Sequence, residues 1–301
     1  MLARMRRLPS EGLLLATVLL WSFNFTAIRY GVTHGFEPLP YVALRWAIAG
    51  VALTLLVLVR GLPLRFGRRE LSILVAATIV GVVANQIAFS YSIQLDKAST
   101  VALVFGTLPI LISLMSQLAG FEKLRRRHWL ATAVSFVGVA LVALGAGGGL
   151  EASAGGILLA LATTTSFAAY SVAIVPVMRH HSPLVVSAVS CLIGALLLGA
   201  VSAPWLAGQA WGEPPALAWS ALFYSALASI VLGNVFWSTA IRRVGAGRSA
   251  LYANLQPFLG AVFAVLVLSE GLGALQLVGG LVIASGIVLG GGARLSAPPA
   301  D

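Results

Sequence analysis

The chain alternates long apolar runs with short polar or basic segments. The apolar runs have weak or no amphipathic period, and their lengths are close to the roughly 20 residues that an α-helix needs to cross a bilayer. We predict ten transmembrane helices, at residues 11–32, 38–59, 71–93, 99–119, 129–147, 154–176, 183–204, 217–240, 249–268 and 273–292. The pattern therefore predicts an all-α integral membrane fold.

Composition favours lipid over water as the surrounding solvent. Of the 301 residues, 59% are hydrophobic and 9% are charged, whereas a soluble globular chain carries roughly a quarter charged residues. Ten spans with short loops use up a chain of this length, so no separate catalytic domain is expected. A single cysteine and the lack of a Cys/His cluster give no sign of a disulfide or a metal site.

The basic residues fall almost entirely on one side of the predicted topology. Alternate loops place sixteen of the 19 Lys and Arg residues on one side and Lys97 on the other, while Arg29 and Arg45 lie inside spans. Short cytoplasmic loops carry such an excess, so both termini are predicted to be cytoplasmic. This topology explains the net charge of +10 better than nucleic-acid binding does, because the chain has no basic stripe and no nucleic-acid motif.

The two halves of the chain resemble each other. A shift of 148 residues places Pro109 on Pro257 and aligns several Glu, Gly, Leu and Ala positions. We predict two five-helix repeats, at 1–148 and 149–301, that form one structural unit. Because each repeat has an odd number of spans, the second enters the bilayer from the opposite side, as in transporters that work by alternating access. Plain gene duplication in a channel or a structural membrane protein is the alternative.

Several local motifs accompany this organisation. They are Leu20-Trp21-Ser22-Phe23-Asn24-Phe25, Leu44-Arg45-Trp46, Ala98 to Pro109 leading to Glu122, and Ala246 to Pro257 leading to Leu268-Ser269-Glu270. With two inverted repeats and cytoplasmic termini, the chain resembles the drug/metabolite transporter superfamily, and within it the EamA-type ten-helix transporters. The resemblance covers essentially the whole chain. It implies a central cavity between the repeats that handles amino acids, related metabolites or other small polar solutes.

Polar side chains inside the spans are the candidates for substrate binding, because they are costly in lipid and usually face the protein interior or a wet cavity. Asn24 offers an amide to a zwitterionic solute or to a neighbouring helix. Arg45 offers a guanidinium to a substrate carboxylate or to helix-end carbonyls. Asn85 and Gln86 lie in the third span, and Asn234 in the eighth takes the place of Gln86 in the repeat.

Five further residues are assigned to the same solute pathway. Trp237 is included because it lies three residues after Asn234 and shares its helical face. The complete additional set is Ser166 and Tyr170 in the sixth span, Trp237 in the eighth, and Tyr252 and Gln256, four residues apart, in the ninth.

Two prolines are candidates for gating. Pro109 and Pro257 each remove a helix hydrogen-bond donor, so each predicts a kink that serves either gating or packing. No Asp or Glu lies at the middle of a span, so the sequence gives no sign of proton coupling. Glu270 is the nearest candidate for a proton site, and helix capping or loop structure is the favoured alternative for it. There is no nucleotide-binding loop, and no catalytic set is placed convincingly. We expect no enzyme activity, cofactor or metal.

Together these features predict a secondary transporter that is not driven by ATP. The expected substrates are small polar or amphipathic metabolites, and export of amino acids or related compounds by alternating access is the first choice. The expected location is the bacterial inner membrane, with the lipid bilayer and a small-molecule substrate as partners and a monomer or weak homo-oligomer as the assembly. The alternatives are a channel-like facilitator, a carrier of another class such as nucleosides or drugs, or a membrane enzyme.

Overall fold

The structure is a computed structural model that describes residues 9–95, 98–145, 153–268 and 273–291. All regular structure in these ranges is helical. The α-helices are α1 (Ser10–Thr33), α2 (Pro38–Val59), α3 (Arg68–Thr78), α4 (Asn85–Leu95), α5 (Ala98–Phe105), α6 (Leu108–Leu118), α7 (Arg126–Gly145), α8 (Ala154–His180), α9 (Pro183–Gly208), α10 (Ala216–Phe223), α11 (Asn234–Val244), α12 (Ala246–Ala253), α13 (Leu255–Leu268) and α14 (Ala274–Gly291). Two π-helical segments, Ile79–Ala84 and Tyr224–Gly233, join α3 to α4 and α10 to α11. Glu270 lies outside the described residues.

Long apolar helices confirm that this is an all-helical membrane protein. Within the described ranges, seven helical stretches are long and apolar enough to cross a bilayer: Ser10–Thr33, Pro38–Val59, Arg68–Ser92, Arg126–Gly145, Ala154–His180, Pro183–Gly208 and Ala216–Val244. Two shorter apolar stretches, Leu103–Leu118 and Ala274–Gly290, lie at the fourth and tenth predicted spans. The count of ten spans and the cytoplasmic location of the termini stay predictions.

The fourth and ninth predicted spans are broken helices rather than kinked ones. Helix α5 ends at Phe105, four residues before Pro109, and α12 ends at Ala253, four residues before Pro257. A proline cannot donate to the carbonyl four residues earlier, and its ring clashes with that carbonyl. Each helix therefore ends where this hydrogen bond is lost, and a new helix begins two or three residues later.

Equivalent helices begin at equivalent positions in the two halves. Three pairs of helices begin 148 residues apart, the shift that aligns the sequences. These pairs are α3 at Arg68 with α10 at Ala216, α5 at Ala98 with α12 at Ala246, and α7 at Arg126 with α14 at Ala274. The helix pattern thus repeats along with the sequence.

Helices from corresponding places in the two halves also pack against each other. Helix α2 runs along α9, and α7 runs along α14. Glycines allow close approach at both contacts, since a Cβ on Gly138 would lie 2.7 Å from the carbonyl oxygen of Gly279, and one on Gly50 would lie 3.1 Å from that of Cys191. Small residues serve this purpose between membrane helices, where close packing replaces the hydrophobic effect.

Candidate functional site

A cavity of about 170 Å³ lies between the two halves of the chain. Its walls come from α1, α2, α4, α5 and α6 of the first half, from α8, α9, α11 and α13 of the second, and from both π-helical segments. Most lining residues lie far from the ends of the spans. The cavity is therefore an internal site to which both halves contribute.

Most of the polar residues predicted from the sequence line this cavity. They are Asn24, Arg45, Asn85, Gln86, Tyr170, Asn234 and Gln256. Ser166, Trp237 and Tyr252 lie outside the lining. Trp237 is buried behind Trp21, which does line the cavity, with 5.2 Å between the ring centroids.

The break in the ninth span separates two residues that were expected to share a helical face. Tyr252 lies in α12, whereas Gln256 lies in α13, beyond the break at Asn254. The spacing of four residues implies a shared face only within one continuous helix. Gln256 lines the cavity, while Tyr252 is buried in the core. The two gating candidates, Pro109 and Pro257, each follow a lining residue, namely Leu108 and Gln256.

Arg45 is the centre of a hydrogen-bond chain that crosses the cavity wall. Its Nη1 donates to Ser225 Oγ at 3.1 Å, and its Nη2 donates to Gln86 Oε1. Gln86 Nε2 donates to Asn85 Oδ1 at 3.1 Å, and Asn85 Nδ2 donates to the carbonyl of Thr163 at 2.8 Å. This chain of hydrogen bonds links α2, α4, α8 and the second π-helical segment, so it fixes the guanidinium of Arg45 relative to both halves.

Four buried polar atoms on residues that line the cavity have no hydrogen-bond partner among the described residues. They are Arg45 Nε, Trp46 Nε1, Asn24 Oδ1 and Ser190 Oγ. Buried polar groups in folded proteins are almost always paired with protein or water. These two N–H donors, one amide oxygen and one hydroxyl are therefore suited to hold a bound molecule or ordered water.

Each π-helical segment ends immediately before a polar residue of the cavity. Ile79–Ala84 precedes Asn85, and Tyr224–Gly233 precedes Asn234. Such segments are rare and frequently occur at functional sites. In the second segment, the Ser229 carbonyl accepts a hydrogen bond from Trp21 Nε1 at 3.1 Å. The segment therefore positions both an amide and an indole of the cavity wall.

Aromatic side chains supply much of the remaining wall. Sequence reasoning did not assign them to the site, although Trp21 and Phe25 lie three residues before and one residue after the candidate Asn24. They are Trp21, Phe25, Phe89, Phe105 and Phe167. Trp21 packs edge to face on Phe167, with 5.6 Å between ring centroids. The cavity thus combines one buried cation, several amides and an aromatic wall.

The family model for the EamA-like transporter family matches the chain twice, at residues 8–144 and 154–290. The chain belongs to the EamA-like transporter family. Each match covers one half, in agreement with the internal repeat. Together with the apolar helices, the family and its bacterial relatives establish a multi-pass bacterial membrane protein of the drug/metabolite transporter type. The family points to transport rather than to an enzyme activity.

Curated relatives are similar along nearly their full length at low identity. The uncharacterized transporter YyaM of Bacillus subtilis is 23% identical over 94% of this chain and 96% of its own. A probable terminal-alkyne amino-acid exporter of Streptantibioticus cattleyicolor is 25% identical over 92% and 91%. A probable amino-acid metabolite efflux pump of Salmonella typhimurium is 27% identical over 92% and 93%. A crystal structure that covers 94% of this chain and 98% of its own, at 21% identity and a TM-score of 0.81, shows the same fold.

A second group of polar contacts joins the two halves at the end of the bundle that is predicted to face the cytoplasm. The Glu122 carboxylate accepts hydrogen bonds from the first backbone N–H groups of α12, at 2.5 Å from Ala246 N and 3.2 Å from Gly247 N. Arg248 Nη2 donates to Glu11 Oε1 at 2.8 Å. Burial raises the pKa of Glu122, while its two backbone donors act in the opposite direction.

Two adjacent histidines reach the same carboxylate at this end. His180 Nδ1 lies 2.8 Å from Glu70 Oε1, and His181 Nε2 lies 2.9 Å from Glu70 Oε2. Adjacent residues cannot share a helical face, but His181 lies beyond the end of α8 and has extended backbone. The change of backbone conformation brings both rings to one side, and His181 also stacks on Phe66 at 4.0 Å between ring centroids.

Proposed function

We propose that this chain is a secondary transporter that moves small polar or amphipathic metabolites across the bacterial membrane by alternating access. Export of amino acids or related compounds is its foremost activity. The observation that carries this proposal is a cavity between the two halves whose wall holds an unpaired guanidinium nitrogen and an unpaired amide oxygen. Two relatives bear names that refer to the export of amino acids or their metabolites.

The unpaired atoms match the groups of such a substrate. Arg45 Nε would donate to a carboxylate oxygen, and Asn24 Oδ1 would accept from an N–H or O–H group on the same molecule. Asn234 and Gln256 supply further amides from the second half. The cavity of about 170 Å³ suits a small metabolite, since sites for drug-sized ligands measure about 300–1,000 Å³.

The broken helices supply a means of alternating access. The break before Pro109 is lined by Phe105 and Leu108, and the break before Pro257 is followed by Gln256, so both breaks border the cavity. Irregular backbone at membrane depth occurs where it is buried or lines a cavity. In this proposal, the repeats at 1–148 and 149–301 span the membrane in opposite orientations, and the two breaks are hinges that open the cavity to one side at a time.

Counterflow with purified protein in liposomes tests the function. Vesicles loaded with an unlabelled amino acid are placed in a mixed panel of radiolabelled amino acids, and uptake of label is measured against time. Saturable exchange that is stimulated by the internal amino acid is the expected result. Linear flux without saturation would indicate a channel-like facilitator. No exchange across the panel would exclude amino acids and favour nucleosides, drugs or other metabolites.

Three substitutions connect the activity to the cavity. Arg45→Ala and Asn234→Ala are each expected to lower the initial rate of exchange at least about tenfold, because each removes a polar group from the wall. Arg29→Ala is the matched control, since Arg29 is exposed and does not line the cavity. Normal exchange by both cavity variants, with insertion verified by membrane extraction, would remove those residues from the substrate site.

A further inference from the structure

The cavity carries an unbalanced positive charge. Arg45 is 3% exposed, and an arginine side chain stays protonated in proteins. Its hydrogen-bond acceptors, Ser225 Oγ and Gln86 Oε1, are neutral. Over the described part of the chain, the lining contains no Asp or Glu. A buried cation without a counterion is strongly unfavourable, so the site is complete only when an anion is bound.

The unpaired atoms favour an anion over a zwitterion. The two free N–H donors, Arg45 Nε and Trp46 Nε1, belong to neighbouring residues and equal in number the two oxygens of a carboxylate. The free acceptors are the amide oxygen of Asn24 and the hydroxyl of Ser190, and both are neutral. An ammonium group would lose its hydration and gain no carboxylate in exchange. One hydroxyl or amide N–H on the ligand is enough to satisfy Asn24.

The remaining wall of the cavity is suited to an apolar body. Trp21, Phe25, Phe89, Phe105 and Phe167 contribute rings to one cavity of about 170 Å³. Aromatic rings pack well against each other edge to face or offset. A ligand with a single ring and a short side chain would fill such a space, whereas a small inorganic anion would leave the aromatic wall uncovered.

From this charge balance, we infer that the cavity selects a small organic monocarboxylate with an apolar, ring-sized body, and binds such a net anion more tightly than the zwitterionic amino acid of the same shape. The inference rests on the proposed function and names the ionic form of its substrate. The class includes relatives of amino acids whose amino group is acylated or replaced. The loaded cavity is then electrically neutral, while the empty cavity is positively charged.

Binding of a matched series to the purified, detergent-solubilised wild-type chain tests the inference. Phenylpropanoate, phenylalanine, phenylpropanamide and phenethylamine share one ring and differ in charge, and isothermal titration calorimetry in sulfate buffer gives the Kd of each. Phenylpropanoate is expected to bind at least about tenfold more tightly than phenylalanine. Both ligands offer a carboxylate to Arg45, but phenylpropanoate has no ammonium group to bury in the cavity. The amide and the amine are expected to bind more weakly still.

Two variants of Arg45 and a competing salt test whether the positive charge of Arg45 causes the preference for an anion. Arg45→Lys keeps a positive charge and is expected to keep the order of affinities, whereas Arg45→Gln is expected to reduce the difference between phenylpropanoate and its amide to less than about threefold. Adding an equal concentration of chloride is expected to leave the Kd unchanged. Displacement of phenylpropanoate by that chloride would show that the site takes an inorganic anion and would overturn the inference.

The Kd values of the four ligands with the wild-type chain test the preference for an anion even where a variant fails to fold. Phenylalanine binding as tightly as phenylpropanoate, or no binding of phenylpropanoate, would overturn the preference for an anion. Saturable counterflow of zwitterionic or neutral solutes in the same preparation would then leave the proposed carrier function intact. A lack of saturable exchange for every solute, by contrast, would count against the carrier function itself.

Discussion

The contact between Glu122 and the start of α12 is expected to depend on the acceptor oxygens more than on the negative charge. Glu122 Oε1 accepts from Ala246 N and from Gly247 N, and Oε2 also lies 3.2 Å from Gly247 N. Ala246 and Gly247 are buried, so water does not replace a lost acceptor there. These are the first N–H groups of the helix, which have no partner within it.

The two substitutions at this position separate the effects. Glu122→Ala leaves the N–H groups of Ala246 and Gly247 without an acceptor, at a cost of about 1–3 kcal/mol each. Removing the buried charge is favourable and offsets part of this cost, so the free energy of unfolding should fall by about 2–3 kcal/mol. Glu122→Gln keeps one oxygen for both donors and is expected to stay within about 1 kcal/mol of the wild type.

The pH dependence follows from the direction of the pKa shift. Burial raises the pKa of Glu122, so the folded chain holds this proton more tightly than the unfolded chain. The contribution of Glu122 to stability is therefore full below the ordinary glutamate pKa of about 4.3, and it declines as pH rises through the raised value. Glu122→Gln has no proton to lose and should lack this decline.

Unfolding by SDS in mixed micelles, followed by circular dichroism at several pH values, measures both effects. Glu213→Ala is the control, since Glu213 is exposed in the segment before α10. At neutral pH, Glu122→Gln is expected to be at least as stable as the wild type, and Glu122→Ala is expected to be clearly less stable than the wild type. Equal losses for the Gln and Ala variants would refute the reasoning, because the charge would then matter more than the acceptor.

Two further predictions concern close packing. Gly138→Ala is expected to lower the free energy of SDS unfolding by about 1–3 kcal/mol, since its Cβ would lie 2.7 Å from the carbonyl oxygen of Gly279. The control Gly199→Ala, whose Cβ meets nothing within 4 Å, should change this free energy little. Equal effects of the two substitutions would contradict the prediction. Trp21→Phe removes the 3.1 Å hydrogen bond to the Ser229 carbonyl, so it should lower the free energy of unfolding by about 1 kcal/mol and raise the KM for counterflow. An unchanged KM would show that Trp21 does not contact the substrate.

The long helices of the fold were predictable because hydropathy follows directly from burial in lipid. The expected spans 11–32 and 38–59 correspond to α1, Ser10–Thr33, and α2, Pro38–Val59. The π-helical segments were not predictable, since they depend on hydrogen-bond register and leave the apolar pattern unchanged. The helix breaks were predicted only as kinks, because a proline in sequence does not reveal how far the preceding turn unwinds.

The polar part of the cavity was predictable for a related reason. A polar residue within a span needs a partner, and this requirement pointed to Asn24 and Arg45, which both line the cavity. Trp237 was included because it shares a helical face with Asn234, but its Nε1 donates to Ser171 Oγ at 3.4 Å within the core. Aromatic residues such as Phe105 resemble ordinary apolar packing, so only the fold assigns them to the wall.

The most direct test of a solute site between the two halves uses a single reactive thiol on the cavity wall. Cys191, the one cysteine of the chain, is buried and therefore reacts poorly. In the double variant Cys191→Ala, Phe105→Cys, the new thiol replaces a partly exposed residue of the lining, so its alkylation by N-ethylmaleimide in proteoliposomes reports access to the cavity. The account predicts that a solute active in counterflow slows this alkylation, with half-protection near its KM for exchange, while an inactive solute has no effect. Alkylation at an unchanged rate in the presence of a saturating, transported solute would contradict a binding site in this cavity.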